Sequence, residues 1–166
     1  MNKLNLTLAF LAFISMSALA QKPMASPPAK AEGKIDGIGV TIDYHQPSAK
    51  GRKIMGGLVP YGEVWRTGAN NTTSIELSAD AKIEGKSLAK GKYGLYTIPG
   101  ENEWVIIFNK TIKWGAFDYN EKDDVLRVSV KPSKTANMVE TFTIAVEGKK
   151  VVLRWENTEA AFTVSK

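Results

Sequence analysis

The single histidine of the chain, His45, stands two residues after Asp43 in the run IGVTIDYHQP. An imidazole titrates near neutral pH and acts as a general base when a carboxylate orients it, so His45 with Asp43 is the candidate catalytic pair. Side chains two apart on one strand stand parallel, and a solvent-facing histidine beside a turn fits the same residues equally. One histidine and no cysteine exclude a multi-histidine or thiolate metal centre, and no metal ligand set is assigned.

A second concentration of chemistry begins at Gly56, in GGLVPYGEVWRTGANNTTSIEL. Arg66 offers a rigid five-donor fork suited to a carboxylate, a phosphate or the rim of a sugar. Tyr61 and Trp65 supply stacking surface, and Asn70 a neutral amide. The competing reading makes Trp65 a plug for the open end of a core, with Arg66 paired to an acid such as Asp43. Trp114, in IKWGAFDYNEKDD, opens a further aromatic run that fits either a ligand groove or a lid. The acids after it lack calcium-loop spacing. There is no G-x-S-x-G elbow, phosphate loop or H-E-x-x-H, and no cofactor is implied.

These residues need elements to hold them. The chain opens MNKLNLTLAFLAFISMSALAQ, with a basic head, an apolar stretch and small residues before Gln21. That pattern predicts a signal peptide over residues 1–20 and a periplasmic or secreted product, with no integral membrane segment once it is removed. The mature part keeps a modest positive charge, because the signal carries one lysine of a chain whose formal charge is +5. The basic residues are scattered, so no nucleic-acid partner is expected. Residues 21–34, QKPMASPPAKAEGK, read as a flexible leader, and residues 35–166 as one β domain.

Within that domain, Ile38, Val40, Ile42 and Tyr44 alternate with polar or small residues. Residues 104–108, WVIIF, are apolar at every position, as in a strand covered on both faces. The C-terminal third reads as strand, turn at Glu147-Gly148-Lys149, strand, turn at Glu156-Asn157-Thr158, strand. Seven or eight such strands without a helical period predict an all-β, two-layer antiparallel sandwich, with a small barrel as the alternative.

Gly57-Leu58-Val59-Pro60-Tyr61-Gly62, Val64-Trp65-Arg66-Thr67-Gly68-Ala69-Asn70, Tyr96-Thr97-Ile98-Pro99-Gly100 and Trp114-Gly115-Ala116 occur in that order. In these motifs nearly the whole mature chain resembles the secreted bacterial domain-of-unknown-function family DUF2911, of Bacteroidetes type. The resemblance implies an exported protein of about this size and no particular reaction. Its motifs fall on Tyr61, Trp65, Arg66, Asn70 and Trp114. The leading expectation is a non-catalytic module for a small polar ligand such as a sugar or glycan fragment. The alternatives are an exported hydrolase or lyase using His45 as base, and a structural protein whose partner is another envelope protein.

Overall fold

A computed structural model describes residues 25–113 and 119–166. Ten strands form two antiparallel sheets. They are β1 (Pro28–Ile35), β2 (Ile38–His45), β3 (Ser74–Leu77), β4 (Ala81–Ile83), β5 (Lys86–Leu88), β6 (Gly91–Ile98), β7 (Trp104–Asn109), β8 (Asp124–Val130), β9 (Ser133–Glu147) and β10 (Lys150–Ser165). One sheet has the order β1-β2-β3-β6-β7-β8, the other β5-β4-β10-β9, and neither closes on itself. The architecture is a β-sandwich and not a barrel.

Period-two burial builds the core. Every second residue of β2, from Ile38 to Tyr44, is buried. Facing it from the other sheet are Phe142 and Ile144 of β9 with Val151, Leu153, Trp155, Phe162 and Val164 of β10. In β7 every residue but Val105 is buried, as its unbroken apolar run predicts. The tight β1–β2 turn uses Asp36 and Gly37, both at positive φ, which matches the twist of a two-residue hairpin.

Two sequence expectations change. The stretch read as a leader contains all of β1 but Ile35, paired residue for residue with β2 from Pro28↔His45 to Ile35↔Ile38. Gly33 has a packing reason. A Cβ placed on Gly33 would lie 2.5 Å from Val146 Cγ1, so β9 approaches too closely for a larger side chain. The Glu156-Asn157-Thr158 turn is instead a bulge within a continuous β10. Glu156 sits at φ 54, and the pairing with β9 shifts register on either side of it.

The connection from β2 to β3, residues 46–73, crosses one end of the sandwich. It first bonds to β9, through Phe142 N–H to Pro47 O and Ala49 N–H to Glu140 O. It then reaches the opposite sheet, where Trp65 and Thr97 of β6 exchange backbone hydrogen bonds of 2.8 and 2.9 Å. This loop therefore ties the two sheets together at the end where Arg66 lies.

Candidate functional site around Arg66

Local chemistry fixes the loop before any ligand is considered. The Trp65 indole enters the core, where it meets Phe142 at 5.0 Å, Trp155 at 5.8 Å and Trp104 at 6.5 Å between ring centroids. Its Nε1 donates to Gly68 O at 3.0 Å, closing the turn that follows. Thr67 Oγ1 donates to Thr97 Oγ1, and Thr73 Oγ1 donates to Thr67 O at 2.6 Å. Gly68, at φ 155, has His45 O and Thr73 Oγ1 each 3.1 Å from where a Cβ would stand. Asn70 takes φ 56, which its short amide tolerates, and donates from Nδ2 to Ser26 O at 3.2 Å.

Arg66 follows Trp65 and lines a cavity of about 440 Å³, a volume ordinary for small-molecule sites. Trp65, Trp155, Leu58, Asn70 and Arg52 contribute to the same walls. The guanidinium is half-buried, and burial alone lowers its pKa from the usual arginine value. Its Nε is closed to solvent and has no hydrogen-bond partner. Among the described residues no carboxylate lines the cavity, and none pairs with Arg66. Arginine stays protonated under any physiological condition, so the site carries a partly desolvated positive charge without a counter-ion among the described residues.

The chain has four arginines, and the contrast among them is informative. Arg127 bonds Asp124 and Glu121; Arg154 bonds Glu147 through two nitrogens and Glu159 through a third. Arg52 and Arg66 are the two without an acid among the described residues, and both line this cavity. Arg52 is oriented by carbonyls: Nε donates to Ala49 O at 2.9 Å and Nη2 to Ser48 O at 2.7 Å.

The remaining predicted residues go elsewhere. Tyr61, 40% exposed, folds over Gly56 and lines a separate cavity of about 380 Å³ with Trp104, Lys134 and Asn157. The Trp104 indole nitrogen, like Arg66 Nε, is closed to solvent and unpartnered, and its ring is packed edge-on against Trp65. His45 and Asp43 line a third cavity, of about 490 Å³, with Lys92 and Ile112. Asp43 pairs with Lys92 at 3.4 Å and Lys30 at 3.8 Å rather than with Arg66. Trp114 lies outside the described residues. Among those residues, no three His, Cys, Asp or Glu side chains converge on a metal position, and no helix is long and apolar enough to cross a membrane.

Of the residues that line the Arg66 cavity, sequence reasoning names Arg66, Asn70 and Trp65 and does not name Arg52 or Trp155. Trp155 reads as core, and is core, with one side turned to the cavity. Arg52 carries no local signal, because its place beside Arg66 depends on how the 46–73 loop folds back across the end of the sandwich.

Compared with known proteins, residues 26–164 match the family described as a protein of unknown function, DUF2911, and the chain belongs to that family. No curated protein and no solved structure matches it.

Proposed function

We propose that this DUF2911 domain is an exported, non-catalytic binding module for a small polar ligand that carries an anionic group. An acidic sugar or glycan fragment is the class that would use both the guanidinium and the indole wall. One observation carries the reading: Arg66 presents a half-buried guanidinium, without a counter-ion among the described residues, to a cavity lined by no acid. A bound anion supplies the missing charge. The signal-like residues 1–20 support export.

Binding is preferred over catalysis because the described lining of the Arg66 cavity includes no His, Asp, Glu, Lys or Tyr to move a proton. His45, the candidate base, belongs to another cavity. The test is calorimetric titration of the purified protein with glucuronate, acetate, phosphate and neutral glucose, in parallel with Arg66→Leu. Saturable binding of an anion, lost in a folded Arg66→Leu and absent for glucose, is the expected result. Equal binding to parent and variant, or no anion bound by the parent, would remove the reading and leave the structural role of the loop as its function.

A further inference from the structure

Resting on that reading, we infer that the ligand is doubly negative and is held between Arg66 and Arg52. The two side chains come from one loop, which is bonded to β9 just before Arg52 and to β6 just before Arg66. Arg66 follows the Trp65–Thr97 pair on β6. Arg52 closes the turn from Ala49, with Arg52 N–H bonded to Ala49 O, and that turn is fastened to β9 through Ala49 N–H to Glu140 O at 2.8 Å and Ser48 Oγ to Thr141 Oγ1 at 3.2 Å.

The Arg52 fork is set before a ligand arrives. Two of its nitrogens are satisfied by the carbonyls of Ser48 and Ala49, which fixes the plane, and its Nη1 has no partner among the described residues. Fixing a guanidinium in this way lowers the entropy lost when it grips an anion. Arg66, half-buried, and Arg52, exposed, bring two positive charges to one cavity whose described lining holds no acid, and a monoanion can neutralise only one. A dianion satisfies both. The apolar side of the cavity, formed by Trp65, Trp155 and Leu58, accommodates the body that carries the charges.

The shared chemistry is two negative charges on one small molecule, and it has two sources: a dicarboxylate or a phosphate monoester. The experiment compares matched monoanion and dianion pairs by calorimetry at pH 7.5 and constant ionic strength: glucuronate with glucarate, dimethyl phosphate with methyl phosphate, and benzoate with isophthalate. The parent should bind at least one dianion about tenfold more tightly than its matched monoanion, the return expected from one added charge-assisted contact. Which dianion wins distinguishes the two sources. Arg52→Gln should reduce that preference to within about threefold, weakening the dianion more than its matched monoanion. Arg66→Gln should abolish binding of both members of a pair.

A parent that binds mono- and dianions equally overturns the inference, whatever the variants do. So does a folded Arg52→Gln that keeps the full preference, and in either case anion binding at Arg66 still stands. Failure of every anion to bind the parent overturns both.

Discussion

The Trp65 ring lies 5.8 Å from the Trp155 ring at an interplanar angle of 20°, a stacked pair joining a loop residue to a strand of the opposite sheet. The loop from β2 to β3 is thus built into the core rather than laid over it. Trp65 is 8% exposed and its N–H closes the next turn on Gly68. Rigid placement of Trp65 is what places its neighbour, Arg66.

Trp65→Ala should therefore cost about 3–5 kcal/mol, the usual range for emptying a large aromatic site in a core. Urea unfolding of parent and variant measures it. A loss under about 1 kcal/mol would mean that the loop is held by its backbone bonds and that the indole is a dispensable wall.

Arg66 should behave in the opposite way. Its guanidinium is partly desolvated and makes no ion pair or side-chain hydrogen bond among the described residues, so replacing it removes a cost and few contacts. Arg66→Leu is expected to leave unfolding stability unchanged or to raise it by up to ~1 kcal/mol, the pattern of a site that trades stability for function. Destabilisation beyond about 2 kcal/mol would assign Arg66 a structural role instead.

The contrast explains what could be read in advance. β2, β7 and the C-terminal strands announce themselves because one-sided burial imposes an alternation, or two-sided burial an unbroken run, on side-chain type. β1 does not, because it carries Ala and Gly where a strand usually shows large apolar residues, with Gly33 held small by the close approach of Val146 of β9. The first half of β9, from Ser133 to Val139, is also silent: it is the exposed outer part of an edge strand, with Met138 half exposed. In the site, the glycines and the arginine–indole neighbours pointed to the loop. They could not show that Tyr61, His45 and Asp43 face other cavities, since that follows from strand order. Arg52 is the clearest case of a residue made relevant only by long-range packing.

The close approach at Gly33 is itself testable. Gly33→Ala places a Cβ against Val146 Cγ1 and should cost about 1–3 kcal/mol, as overpacking does. Val146 is partly buried, and because its own Cβ would lie 2.8 Å from the added one, it is Val146→Gly that makes room. The double variant should then recover at least about 1 kcal/mol relative to the sum of the single changes. Additive effects would show that β1 shifts away from β9 easily and that the small residues there have another cause.

Outside the Arg66 cavity, Tyr119 joins a polar network beside β8. Its hydroxyl donates to Asp124 Oδ2 at 2.7 Å and accepts from Arg127 Nη2 at 2.7 Å, while Arg127 Nε also donates to that carboxylate oxygen. Burial, and next the hydrogen bond to Asp124, push the Tyr119 hydroxyl up from the ordinary tyrosine value to about 12, with Arg127 pulling the other way. A group whose pKa is higher folded than unfolded stabilises the folded state fully below the unfolded value, near 10. The stabilisation is lost as pH rises through the folded value. Stability should therefore decline between about pH 10 and 12, and phenolate absorbance in the folded protein should include a tyrosine ionising near the top of that window. Tyr119→Phe should remove that late-titrating component, flatten the decline across the window, and cost about 1 kcal/mol at neutral pH through its lost hydrogen bonds. An unchanged alkaline titration in Tyr119→Phe would mean that another tyrosine supplies the late ionisation. Tyr93, which burial and then Asp80 also push upward, would then be the residue to replace.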